Sequence, residues 1–284
     1  MTFLEALSNP DLSFLRYAFI AGMLASISFG IVGTYVVVRR ITYLAGAISH
    51  CVLGGIGVAL YCRHQFGLDW LHPLMGAVFA ALAAALIIGL ISQYAHQRED
   101  TVIGALWATG MAIGLLFISQ TPGYVKPMTY LFGNILMLSK SDVWLIGSLD
   151  AVIVIAGALF YHKFLAVCFD EQFVYLRGIR VRVYYLLLLC LTALTIVLLV
   201  TIVGIIMVVA LLTLPAAIAG HFCRKLWQMM LLASLFCLLF VGAGLATSYT
   251  ADLPSSPVII LFASGGYMLT VSANSLIRRY LRSP

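Results

Sequence analysis

The sequence predicts an all-α integral membrane protein with eight or nine transmembrane helices, forming one transmembrane domain over residues 1–284. Three observations predict it. The chain is 63% hydrophobic and only 9% charged, with a mean hydropathy of +1.09; soluble domains carry about 25% charged residues. Its apolar residues fall in runs close to the ~20 residues that a helical span requires. Its basic residues cluster in the gaps between runs: Arg39 and Arg40, Lys163, Arg177, Arg180 and Arg182, Arg224 and Lys225, then Arg278, Arg279 and Arg282. That is the pattern of cytoplasmic loops. The net charge of +6 is therefore spread over loops and forms no nucleic-acid patch. No basic region followed by a short apolar core and an Ala-x-Ala site opens the chain, so a cleaved signal peptide is not expected.

The first run, Phe14 to Val38, ends at the basic pair Arg39–Arg40. The second, Ala47 to Cys62, is short and rich in glycine, and a polar loop with His64, Asp69, Trp70 and His72 follows. The third, His72 to Ala95, is rich in alanine, and the fourth, Thr101 to Ser119, carries the small-xxx-small pair Gly110 and Gly114. Pro122, Gly123 and Pro127 interrupt the chain before Leu131-Phe-Gly133. The fifth run, Val143 to Phe164, holds Asp150, the one carboxylate inside any run.

A polar connector covers Phe169 to Arg182, with Asp170 and Glu171 first and its arginines last, an order that suits the dipole of a short helix. The stretch Val183–Phe222 is about twice the length of one span and basic at both flanks. Two crossings are expected there, turning near Thr201 to Gly204. Leu226 to Tyr249 follows, then a turn with Asp252, Pro254 and Pro257, then Val258 to Leu276. This order puts the N-terminus outside and the C-terminus in the cytoplasm. The six cysteines stand singly and read as small apolar residues, not as disulfides or zinc ligands.

Several functions are excluded. There is no G-x-x-x-x-G-K-[ST] loop, so the chain carries no ATPase of its own, and no H-E-x-x-H zinc protease motif. No ladder of ionisable residues runs through several spans, as proton-coupled carriers usually need. The residue that stands out is His50, at the head of the second run, before Gly54, Gly55 and Gly57. An ionisable side chain there is a functional-site candidate. The glycines let another backbone approach, so His50 is expected to face protein. The alternative is a histidine that only hydrogen-bonds a neighbouring helix.

The segment Val203-Gly-Ile-Ile-Met-Val-Val-Ala-Leu-Leu-Thr-Leu-Pro-Ala-Ala-Ile-Ala219 resembles the signature of the permease subunit of the zinc, manganese and iron branch of ATP-binding-cassette importers. Arg98-Glu-Asp100, Leu131-Phe-Gly133, Phe169-Asp170 leading to Leu176 and Gly178, and Asp252-Leu-Pro-Ser255 match in order and spacing over nearly the whole chain. The resemblance implies a type II importer fold and a homodimer around a central path. It also implies separate cytoplasmic ATPase subunits, an extracytoplasmic metal-binding protein, and a bacterial inner-membrane location. Hydrolysis would belong to the ATPase, and the chain would hold no tightly bound cofactor, only a transported divalent cation. The segment at about 169–180, with Asp170, Glu171, Leu176 and Gly178, would be the coupling helix.

One departure bears on the cargo. The family usually places an acid four residues before the histidine, and here that position is Gly46. His50 carries over as a metal ligand and the carboxylate does not. Imidazole suits zinc better than manganese, which prefers oxygen, so zinc is favoured over manganese or ferrous iron. A membrane scaffold or sensor that has lost transport is the alternative from another class. Asp150 is a candidate to replace the missing acid; a helix–helix hydrogen bond or a Lys140 partner also accounts for it. Cys51 points to another helix side. His64, His72 and His221, and the methionines Met111, Met137 and Met207, need no metal to explain them.

The orientation has a direct check. In a cysteine-free background, a cysteine at position 279 is expected to stay unlabelled by an impermeant reagent added to intact cells, and one at position 252 to react. Labelling at 279 from outside would reverse the topology.

Overall fold

The computed structural model describes residues 13–68, 70–94, 99–122, 131–133, 140–169, 178 and 180–280. Among these there is no strand. The helices are α1 (Ser13–Val38), α2 (Thr42–Phe66), α3 (Pro73–Tyr94), α4 (Glu99–Gln120), α5 (Lys140–Leu159), α6 (Tyr161–Phe169), α7 (Val181–Val203), α8 (Ile205–Phe222), α9 (Leu226–Ala251) and α10 (Ser255–Tyr280). Among the described residues, seven helices are long and apolar enough to cross a membrane, and α5 with α6 adds an eighth if the bent pair is one span. A further apolar helix, α7, precedes α8.

The bundle has two lobes. In one, α2 lies between α3 and α4, and α7 closes over α3 and α2. In the other, α1 packs on α9, α8 and α5, and α10 leans on α9 and α8. Large apolar side chains on α4, α5, α9 and α10 remain exposed, among them Leu116, Ile155, Leu239 and Leu269. Such a surface suits lipid, where an exposed leucine carries no penalty.

Local chemistry sets the joints. Arg40 has φ 61° and closes α1 by sending the Ile41 N–H to the Val36 carbonyl (3.0 Å) and its own N–H to that of Val37 (3.1 Å). This is a Schellman cap with arginine where glycine is usual. It lets α2 start at Thr42, five residues before the apolar run begins. His50 is therefore not at a helix mouth but about 12 Å inside α2 along the axis.

The fifth run is not one straight helix either. It breaks at Phe160, where α5 and α6 meet at 68°. Neither proline nor glycine occupies the break. Tyr35 from α1 accounts for part of it: its hydroxyl donates to the Gly157 carbonyl (3.5 Å), and its ring packs edge-on to buried Phe164 of α6, with centroids 5.2 Å apart. A backbone acceptor freed by the bend thus meets a side-chain donor, as burial in lipid demands.

The long stretch after Arg182 divides where expected, at Gly204 alone. Its φ of 88° and ψ of 156° lie in a region open essentially to glycine. An added Cβ at Gly204 would strike Phe132 and the Gly133 amide, and one at Gly133 (φ 65°) would strike Val203 and the Gly204 amide. Ser256 donates to the Val203 carbonyl (3.4 Å). The Leu131–Gly133, Val203–Gly204 and Asp252–Ser256 segments therefore meet at one end of the bundle. At the opposite end the Arg39 guanidinium lies over the Tyr185 ring, 5.4 Å from its centroid, joining the end of α1 to the start of α7. Pro215 sits inside an unbroken α8 and starts no new segment.

Gly67 has φ 63° but open space where a Cβ would go. Gly67→Ala is expected to cost only the left-handed penalty of about 1–2 kcal/mol. Gly204→Ala adds collision with backbone and is expected to lower the melting temperature of the detergent-solubilised protein by clearly more. Equal shifts for the two variants would show that the Gly133–Gly204 contact is not close.

Candidate functional site

The site begins with how closely α4 approaches α2. An added Cβ at Gly110 would lie 2.8 Å from the Cys51 α-carbon, and one at Gly54 would lie 2.9 Å from the Gly110 carbonyl oxygen. One turn further on, a Cβ at Gly57 would meet the Gly114 carbonyl oxygen at 2.6 Å. Backbone meets backbone along this seam, and the Cys51 thiol donates to the Leu106 carbonyl across it (3.4 Å). Gly76 of α3 presses on Gly55 in the same way from another side.

This approach fixes the partner of His50. Trp107 stands one turn before Gly110, and His50 one turn before Gly54. The imidazole stacks on the indole, with centroids 4.7 Å apart and planes 21° from parallel. His50 is half-buried, and its Nδ1 is buried with no hydrogen-bond partner among the described residues. Among the described residues it makes no hydrogen bond to a neighbouring helix. Trp107 is 38% exposed, so the stack lies at the border of the subunit. Gly46, one turn before His50, is buried beneath the same indole: a Cβ there would be 2.8 Å from Trp107 Cζ3. Beside the seam a groove of about 500 Å³ runs between α2, α3 and α4, lined by Cys51, Gly54, Gly55, Gly76 and Thr109 among others.

Asp150 is elsewhere. It lies on α5, 6% exposed, and accepts a hydrogen bond from the Ser28 hydroxyl of α1. Its Oδ2 is buried with no partner among the described residues. Its observed bond joins α1 to α5, while His50 belongs to the seam of α2 and α4. Lys140, at the exposed start of α5, is ten residues away, about 15 Å along the helix. The bond that Asp150 makes among the described residues is the one between helices.

Among the described residues no group of three or more His, Cys, Asp and Glu side chains could hold a metal. Among the described residues His50 therefore stands singly as a candidate donor. His72 accepts from the Leu74 N–H at the start of α3 (3.3 Å), His64 is exposed, and His221 pairs with the Ala217 carbonyl (2.9 Å). Met111 and Met207 fill gaps in the core, and Met137 lies outside the described residues. So do Asp170, Glu171 and Leu176; Gly178 is exposed, with φ 72° and open space around its α-carbon. The residue the sequence reading missed is Trp107. The only signal was its place one turn before Gly110.

The fold and this seam belong to a transport protein. Residues 11–274 match the model of the ABC 3 transport family, and the chain belongs to that family. It is 39% identical over 274 residues to the uncharacterised membrane protein slr2045 of Synechocystis, covering 96% of this chain and 95% of that one. It is 35% identical to the manganese transport system membrane protein MntC of Listeria monocytogenes, over 93% of this chain and 91% of that one. Among solved structures it is similar to PsaBC from Streptococcus pneumoniae in complex with Fab. There the TM-score is 0.83, with 29% identity and 94% of each chain covered. The resemblance carried by the Val203–Ala219 signature holds at the level of the family.

Proposed function

We propose that the chain is the membrane permease subunit of an ATP-driven importer for a divalent metal cation, zinc favoured, and that His50 lines its path. One observation carries this reading: a histidine held inside a membrane helix with a buried Nδ1 that has no partner among the described residues. A neutral imidazole with a free ring nitrogen is a metal ligand in waiting. Among the described residues one subunit supplies one such donor, and in this proposal a second copy of the chain brings its own histidine to a shared path. A transport site must bind well enough to admit the ion and loosely enough to release it, and few donors favour release.

Imidazole donors without a carboxylate suit zinc more than manganese. Manganese is the second reading, favoured by the name of the Listeria relative. In this proposal Arg39, Arg40, Arg180, Arg182, Arg224 and Lys225 mark the cytoplasmic end. The Gly133–Gly204 end faces outward, toward a metal-binding protein that delivers the ion. The connector from Asp170 through Glu171 and Leu176 to Gly178 couples the permease to separate ATPase subunits, so the chain itself is not the enzyme.

Two variants test the two ends of the proposal in cells that depend on the importer. His50→Ala is expected to abolish zinc uptake while the permease still purifies with its ATPase. Zinc uptake at the wild-type rate would reduce His50 to a packing residue. Gly178→Trp, where nothing crowds the α-carbon, is expected to leave the spans folded but separate ATP hydrolysis from uptake. Full uptake with full ATPase stimulation would remove this segment from the coupling interface.

A further inference from the structure

The space beside His50 on its own helix is occupied. Residues one turn apart share a helix face, so a side chain at 46 would stand next to the imidazole. A Cβ at that position would lie 2.8 Å from Trp107 Cζ3 and 3.1 Å from Cη2. The same indole covers one face of the His50 ring at 4.7 Å. One aromatic side chain from α4 therefore does two things. It fills the space that a side chain at 46 would enter, and it sets the plane against which the imidazole lies.

We infer that Trp107 is a specificity-determining residue of the transport path: by filling the volume over Gly46 and stacking on His50, it restricts each subunit to a nitrogen donor at this level. The inference rests on the reading of His50 as a ligand. Its physical content is the denial of oxygen. An ion at His50 finds an imidazole edge and an indole face, with no carboxylate within reach of the same helix turn. Manganese, which seeks oxygen donors, loses most from this arrangement; zinc, which accepts imidazole readily, loses least. The stack also favours a flat ring pairing over free rotation of either side chain. A close backbone seam sets the spacing of the two rings, since Gly110 and Gly54 let α4 and α2 meet backbone to backbone.

The test uses W107A, G46D and the double variant, in cells expressing the whole importer, with uptake of labelled zinc and manganese as the readout. G46D alone is expected to lower the melting temperature and reduce uptake of both metals, because the new carboxylate meets the indole. Adding W107A to G46D is expected to restore the melting temperature and raise the manganese-to-zinc uptake ratio about tenfold over wild type, the scale at which residues supporting a metal ligand act. If G46D alone is as stable as wild type and gains manganese uptake as fully as the double variant, Trp107 does not control this volume. A stable double variant with the wild-type ratio would overturn the inference equally.

A second measurement does not depend on those variants. With Trp70, Trp144 and Trp227 replaced by phenylalanine, zinc added to the purified protein is expected to change the emission of Trp107, and H50A to abolish that response. If H50A loses zinc uptake but zinc leaves this emission unchanged, the ion does not meet His50 under the indole, and the role of Trp107 falls while that of His50 stands. If H50A imports zinc normally, the reading of His50 fails and the inference fails with it.

Discussion

Distance of approach is the constraint on which this fold depends. Two apolar helices in a bilayer gain little by leaving lipid for one another, so their association rests on close van der Waals packing. Dispersion falls off steeply with even a small gap. Here the seam between α2 and α4 meets that demand by omission. Where Gly54, Gly57, Gly110 and Gly114 lack side chains, carbonyl oxygens and α-carbons take their place. The position of His50, the stacking of Trp107 upon it and the burial of Cys51 against Leu106 all follow from that one close seam.

At three of the described joints, a named group receives backbone that the joint frees. Arg40 turns α1 into α2 with two cap bonds, Tyr35 reaches the Gly157 carbonyl at the bend, and Ser256 reaches that of Val203 beside Gly204. The Ser248 hydroxyl donates to the Leu253 carbonyl across the turn between α9 and α10 (2.6 Å). No water is at hand in the hydrocarbon region, so such partners must come from the protein. The bond from Ser28 to Asp150 belongs to the same economy, joining α1 to α5 at a level where a bare carboxylate would be costly.

Much of this was legible in the residues. Hydropathy marks the spans, and the glycines at 54, 55 and 57 announce a close neighbour, though not which one. That Gly110 and Gly114 are the match is a tertiary fact, because a small-xxx-small pair fits many partners. The joint at Gly204 was readable from length, since Val183–Phe222 is too long for one span. The bend at Phe160 was not, because no proline or glycine stands there and its cause, Tyr35, is far away in sequence. The helix begins five residues before the apolar run at Ala47, because the cap at Arg40 turns the chain straight into α2 at Thr42, a local geometry that hydropathy does not mark. His50 was visible as an ionisable group in an apolar run. Trp107 was invisible as its companion, since a tryptophan in a membrane helix ordinarily signals nothing beyond size.

The indole seated over Gly46 ties two positions together. A side chain added at 46 would crowd the ring, and shrinking the tryptophan would uncover the imidazole it now covers. A change at either position alone is therefore expected to cost more than a change at both, so that substitutions at 46 and 107 are expected to arrive as a pair.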